Sequence, residues 1–182
     1  MDKKIFPYQK ILVVGPGGAG KSTFSKKLSE ILNIPVYHLD RIYWLPNWEH
    51  ISREEFIEKV HEITSTDKWI IDGNYSGSLE ERVPLAEVII FLDFNIFMCV
   101  NSAIKRAFKS RKKQRDDLTE GCHEKIDKNF IDFLNWIWVF RKKNRPKMLA
   151  IFDKFDTPII RFENRKQLYK YLEQIKKGIE AN

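Results

Sequence analysis

Near the start of the chain, Gly15-Pro16-Gly17-Gly18-Ala19-Gly20-Lys21-Ser22 matches the spacing G-x-x-x-x-G-K-[ST], and Thr23 adds a second hydroxyl. Each residue type has a physical task in that pattern. The glycines let the backbone curl so that successive N–H groups point inward at phosphate oxygens. A helix starting near Ser22 aims the positive end of its dipole at the same point. Lys21 is long enough to reach β- and γ-phosphates, and the Ser22 hydroxyl can ligate Mg²⁺. The expected ligand of residues 15–23 is a nucleoside triphosphate, ATP foremost, with Mg²⁺. A chance glycine-rich turn would not need a buried strand before it and an amphipathic helix after it.

Both flanks are present. Ile11-Leu12-Val13-Val14 reads as a buried parallel strand. From Ser22 to Leu32, Phe24, Leu28, Ile31 and Leu32 fall at helical spacing, and Pro35 bars continuation. Further strands are expected at Val36 to Leu39, Trp69 to Ile71, Val88 to Leu92 and Pro158 to Phe162. Residues 41–50 read as irregular and aromatic. A capping box at Ser52 and Glu55 opens a helix running to about Thr64. Helices are also expected from Asn95 to about Ser110 and from His123 to Phe140. A last one runs from a second capping box, Asn164 and Gln167, to about Lys177. Short apolar runs alternating with amphipathic ones argue for a layered α/β fold.

Two carboxylates end strands where ligands of α/β sheets bind. Asp72 follows Trp69-Ile70-Ile71; beside the loop serine it would fix the metal that bridges the β- and γ-phosphates, or else serve as the turn residue of Asp72-Gly73. Asp93, after the fourth strand, is its rival. Asp40 follows the second strand, where it could orient an acceptor hydroxyl, take its proton, cap a helix or pair with Arg41. Trp44 and Trp48 could stack on a ring-shaped acceptor or pack the rim.

The loop at 15–22, His38-Leu39-Asp40 with Trp44, Trp69 to Tyr75 and the arginine-rich segment at 106–115 together resemble adenylate-kinase-like P-loop kinases. More narrowly, they resemble the topology modulation protein family. That resemblance spans residues 11 to about 150. It implies a three-layer P-loop NTPase fold over residues 1–182, with a five-stranded parallel sheet in the order 2-3-1-4-5. It also implies an acceptor-binding segment at about 40–64, including Asp40, Arg41, Trp44 and Asn74, and a small arginine-rich lid at about 106–125. In lid kinases, arginines of this region close on the transferring phosphoryl group. Arg106 and Arg111 are placed for that role, with Arg115, Arg141 and Arg145 contributing. Residues 164–166 would be the base-binding loop. Lys21, Arg106, Arg111 and Asp40 would then carry the catalysis. The chain departs from true adenylate kinases at Lys21-Ser22-Thr23, where they have Lys-Gly-Thr. It departs again at Asp72-Gly73-Asn74-Tyr75-Ser76, where they have Asp-Gly-Phe-Pro-Arg. The arginine that would hold an acceptor monophosphate is absent there, with Arg41 or Arg82 as substitutes.

Composition bounds the rest. The 182 residues suit one domain, and 43% hydrophobic content excludes a disordered chain. The net charge of +7 fits anionic partners. Seven of the eleven residues from Lys105 to Arg115 are Lys or Arg. DNA is therefore a conceivable partner of a nucleotide-dependent regulator, but no helix-turn-helix, zinc-finger or RNA-binding motif is present. Cys99 and Cys122 are too few for a disulfide scaffold. With no signal peptide and no membrane-length apolar run, the expected setting is cytoplasmic.

Overall fold

The computed structural model describes residues 6–110, 117–122 and 127–181. Five strands, β1 (Lys10–Val14), β2 (Val36–His38), β3 (Trp69–Asp72), β4 (Val88–Leu92) and β5 (Ile159–Phe162), form one parallel sheet in the order β2-β3-β1-β4-β5. This is the order the motif resemblance implies. β1 lies at the centre, with Leu12 aligned to Ile71 of β3 and Ile89 of β4. Strands covered on both faces are near-continuous apolar runs, so β4 is apolar at every position and β3 up to Asp72 at its end, and both are buried throughout.

Side chains alternate across the sheet and build two cores. On one face Ile11, Val13, Ile70, Ile90 and Leu92 pack against α1 (Lys21–Leu32), α5 (Ile96–Ser110) and α7 (Arg165–Glu180) through Phe24, Leu28, Ala103, Leu168 and Ile175. On the other, Leu12, Val14, Trp69, Ile71 and Phe91 meet α3 (Arg53–Thr64), α4 (Ser76–Arg82) and the far half of α6 (Lys128–Phe152). β5 is an edge strand, and its Ile159 stays 41% exposed.

Both expected helix starts carry their caps. Ser52 accepts from the Glu55 amide at 3.0 Å and Asn164 from the Gln167 amide at 3.0 Å, each worth about 1 kcal/mol. Two short helices, α2 (Leu39–Tyr43) and α4, fall where no helix is expected, α2 overlapping the start of the segment that reads as irregular. The larger correction is α6. Its expected end at Phe140 is overrun by twelve residues, with Pro146 inside the helix. Proline removes one backbone hydrogen bond, but Met148 and Phe152 continue the stripe begun by Phe140 and are buried at 2% or less. Their burial offsets the lost bond.

Candidate active site

The loop at 15–20 leaves the carboxyl end of β1 and turns directly into α1, whose first turn carries no acidic residue and no side-chain cap. Its leading amides and dipole are thus presented to an anion. Lys21 curls over the loop, with Nζ donating to the carbonyls of Gly15 at 3.1 Å and Pro16 at 3.2 Å. α5 packs on the loop at Cys99 and Ala103, buried small residues four apart that let the helix approach closely. Gly18 stands against it at φ +76°, where an added Cβ would lie 2.2 Å from the Cys99 carbonyl oxygen. The loop is also gripped from β3. Asn74 accepts from the Gly15 amide at 2.9 Å and donates to the Gly15 carbonyl at 2.8 Å.

Gly17, Gly18, Gly20, Lys21, Ser22 and Thr23 open onto a continuous cleft of about 1400 Å³. That exceeds the ~300–1,000 Å³ of a single small-molecule site and leaves room for two ligands side by side. Asp72, at the end of β3, lines it and is 4% exposed. One of its oxygens meets His38 Nδ1 at 2.8 Å. The other, Oδ1, is buried and has no hydrogen-bond partner among the described residues. Burial alone would lower the His38 pKa, but the Asp72 bond and charge, with Asp117 and Asp40 nearby, overcome it and raise the pKa.

Opposite the phosphate loop the wall is aromatic and acidic. The Tyr75 hydroxyl donates to Asp40 Oδ1 at 2.8 Å, and burial together with the Asp40 charge pushes that hydroxyl well above its ordinary pKa, so it remains a donor. Trp44 and Trp48 meet edge to face at 5.5 Å and both line the cleft. Residues 117–122 rest on this wall. The Thr119 hydroxyl shares the carbonyls of Arg41 (3.0 Å) and Trp44 (2.5 Å), and Cys122 Sγ lies 3.1 Å from the Leu45 carbonyl.

Of the lid arginines, Arg106 lines the cleft, with its guanidinium 5.8 Å from the Phe133 ring centre. Arg111 and Arg115 lie outside the described residues. Five expected residues stand elsewhere. Arg145 does not line the cleft and holds Asp93, its Nε 2.9 and 3.0 Å from the two carboxylate oxygens and Nη2 at 2.8 Å. Arg161 engages the same carboxylate, so the rival metal ligand is consumed in an ionic cluster. Arg141 and Arg41 are exposed and do not line the cleft. Arg82 is fully buried and cannot meet an acceptor. Arg165, in the expected base-binding loop, does line the cleft, donating to Ser102 Oγ at 2.9 Å and to the Gly18 carbonyl at 3.3 Å.

Sequence reasoning missed Asn144 and Lys147, which face the cleft from α6. Their spacing from Phe140, four and seven, is the signal of one helical face, hidden because the helix was expected to stop at 140.

No protein-family profile matches the chain, and no curated protein matches it in sequence. Its fold is similar to shikimate kinase from Acinetobacter baumannii in complex with shikimate (TM-score 0.57, 18% identity, 97% of this chain and 95% of that one). Shikimate kinase from Bacteroides thetaiotaomicron gives 0.56 and 18% over 95% and 99%. A gluconokinase from Sinorhizobium meliloti 1021 gives 0.50 and 12% over 95% and 92%. At such identities the likeness establishes architecture, and the chain has the α/β fold of the P-loop kinases.

Proposed function

We propose that the protein is an ATP-dependent phosphotransferase that moves the γ-phosphoryl group to a small hydroxylated acceptor, the class to which shikimate belongs. One observation carries this reading: a single cleft is lined by the phosphate loop on one side and by Asp40, Trp44 and Tyr75 on the other. A regulator that merely binds nucleotide has no need of a second, walled compartment beside the phosphates. The finer resemblance to topology modulation proteins belongs to this reading and rests on the motifs alone.

The loop amides and Lys21 would hold the triphosphate, with Arg106 on the lid side and Arg165 at the base-binding end. The residues present fit a hard cation. Ser22 and Asp72 both bring oxygen donors to the lining of the cleft, and the buried Oδ1 of Asp72 has no hydrogen-bond partner among the described residues. When bound, Mg²⁺ neutralises charge on the β- and γ-phosphates. Asp40, oriented by Tyr75, would accept the proton of the acceptor hydroxyl as its oxygen bonds to the γ-phosphorus. The bond from that phosphorus to the ADP oxygen breaks, and the proton passes on to solvent. Arg106 and Lys21 would stabilise the charge that builds on the transferring group. Positioning and electrostatics supply the rate, since phosphoryl transfer asks little covalent chemistry of the protein.

The test is ADP release on a panel of nucleosides, nucleotides, sugars and hydroxy acids. At least one acceptor should raise ADP release well above background. If none does, while duplex DNA is bound with sequence preference at physiological salt, the regulator reading replaces this one.

A further inference from the structure

We propose that Arg82, fully buried, is the positioning residue that sets the phosphate loop and the acceptor wall in register. The inference rests on the phosphotransferase reading for its purpose, but its test is nucleotide binding, which needs no acceptor.

Arg82 closes α4 and is 0% exposed. A fully buried guanidinium ordinarily requires a carboxylate. Among the described residues its hydrogen-bond partners are backbone carbonyls and one hydroxyl. Nη1 donates to Gly73 O at 3.3 Å, Nη2 to Asn74 O at 2.5 Å and Tyr75 O at 3.2 Å, and Nε to Ser78 O at 3.3 Å and Ser78 Oγ at 3.2 Å. Burial lowers its pKa to about 9, which leaves it charged at neutral pH. The cation thus gathers the carbonyls of three successive residues, 73–75, into one curl. Tyr75 stands in the left-handed region at φ 35°, a position that costs a non-glycine residue about 1–2 kcal/mol.

The side chains of that curl point at two different ligand sites. Asn74 makes the two-point contact with Gly15, whose carbonyl also accepts from Lys21. Tyr75 fixes the Asp40 carboxylate. One buried cation therefore determines where the lysine-bearing loop and the acceptor carboxylate stand relative to each other. A sequence that only needed to fill this space would use a leucine or methionine, at no desolvation cost.

Arg82→Lys keeps the charge but loses the planar fork that reaches several carbonyls at once. Asn74→Ala removes the contact with Gly15 and leaves Arg82 in place. Binding of Mg-ADP is measured by calorimetry on the full chain, with melting temperature recorded for each variant. Each single substitution should weaken Mg-ADP binding on the order of tenfold, as expected for two hydrogen bonds. The double variant should bind no more than about twofold more weakly than the weaker single one, because both changes cut the same path. Asn74→Ala should melt near the parent. If the two losses multiply, to on the order of a hundredfold, or if Arg82→Lys binds as tightly as the parent, Arg82 is a scaffold residue only and the proposal is overturned. If Arg82→Lys does not fold, Asn74→Ala decides: unchanged Mg-ADP affinity there sinks the proposal, and a tenfold loss upholds the route through Asn74. A parent protein that binds no Mg-ADP would overturn the nucleotide reading itself, whereas a binding parent with no acceptor turnover would overturn only the phosphotransferase reading.

Discussion

Two glycines of the phosphate loop separate backbone strain from packing. Gly18 and Gly20 both have left-handed backbones, at φ +76° and +94°. Alanine at either position should cost about 1–2 kcal/mol for that conformation, and each gains about the same amount from a stiffer unfolded chain. The surroundings differ. At Gly20 no atom lies within 4 Å of an added Cβ, whereas at Gly18 the Cys99 carbonyl oxygen lies at 2.2 Å and the Ala103 nitrogen at 3.3 Å. Ordinary carbon–oxygen contacts start near 3.3 Å, so α5 would have to retreat by about 1 Å. Forcing that on a close-packed helix costs about 1–3 kcal/mol more. At ~2–4 °C per kcal/mol for a chain of this length, Gly18→Ala should melt ~2–12 °C below Gly20→Ala. Thermal unfolding by circular dichroism without nucleotide reads the difference directly. Equal melting temperatures for the two variants would refute the claim that α5 seats the loop.

The remaining expectations are simpler. Lys21→Ala should melt within about 5 °C of the parent, since the lysine's contacts are two loop carbonyls, yet ADP release should fall to background; normal turnover would count against the whole site. Asp72→Asn should raise the Mg²⁺ concentration needed for half-maximal ADP release more than it weakens ATP binding, and equal loss of both would mark Asp72 as structural. Asp93→Asn should cost about 2–3 kcal/mol in chemical denaturation, discounted because Arg145 and Arg161 are partly exposed, with Mg-ADP affinity of the folded protein unchanged. A loss of nucleotide affinity there would return Asp93 to the metal site.

Local chemistry was legible in the sequence wherever it depends on neighbours along the chain. The phosphate loop is a run of adjacent residues, the Ser52 and Asn164 caps act over three positions, and a strand covered on both faces must be apolar throughout. Those features fix themselves by short-range sterics and hydrogen bonding. The pairing of the strands was carried by motif resemblance, since spacing alone does not choose sheet order.

What the sequence could not decide is which charged groups meet. Asp72 and Asp93 look alike from the chain, each a carboxylate at the end of an apolar strand. Only folding brings Arg145, fifty-two residues later, and Arg161 onto Asp93, and leaves Asp72, which lines the cleft, with a buried oxygen that has no hydrogen-bond partner among the described residues. Arg82 is expected as a substitute arginine for an acceptor and is instead among the largest fully buried side chains. α6 crosses its basic stretch and Pro146 because two residues beyond them find a core to enter. The chain itself carries the expectation of a polyphosphate site, and of its place. The tertiary structure decided what stands opposite it, because desolvation and charge pairing depend on residues that are distant in sequence and adjacent only in space.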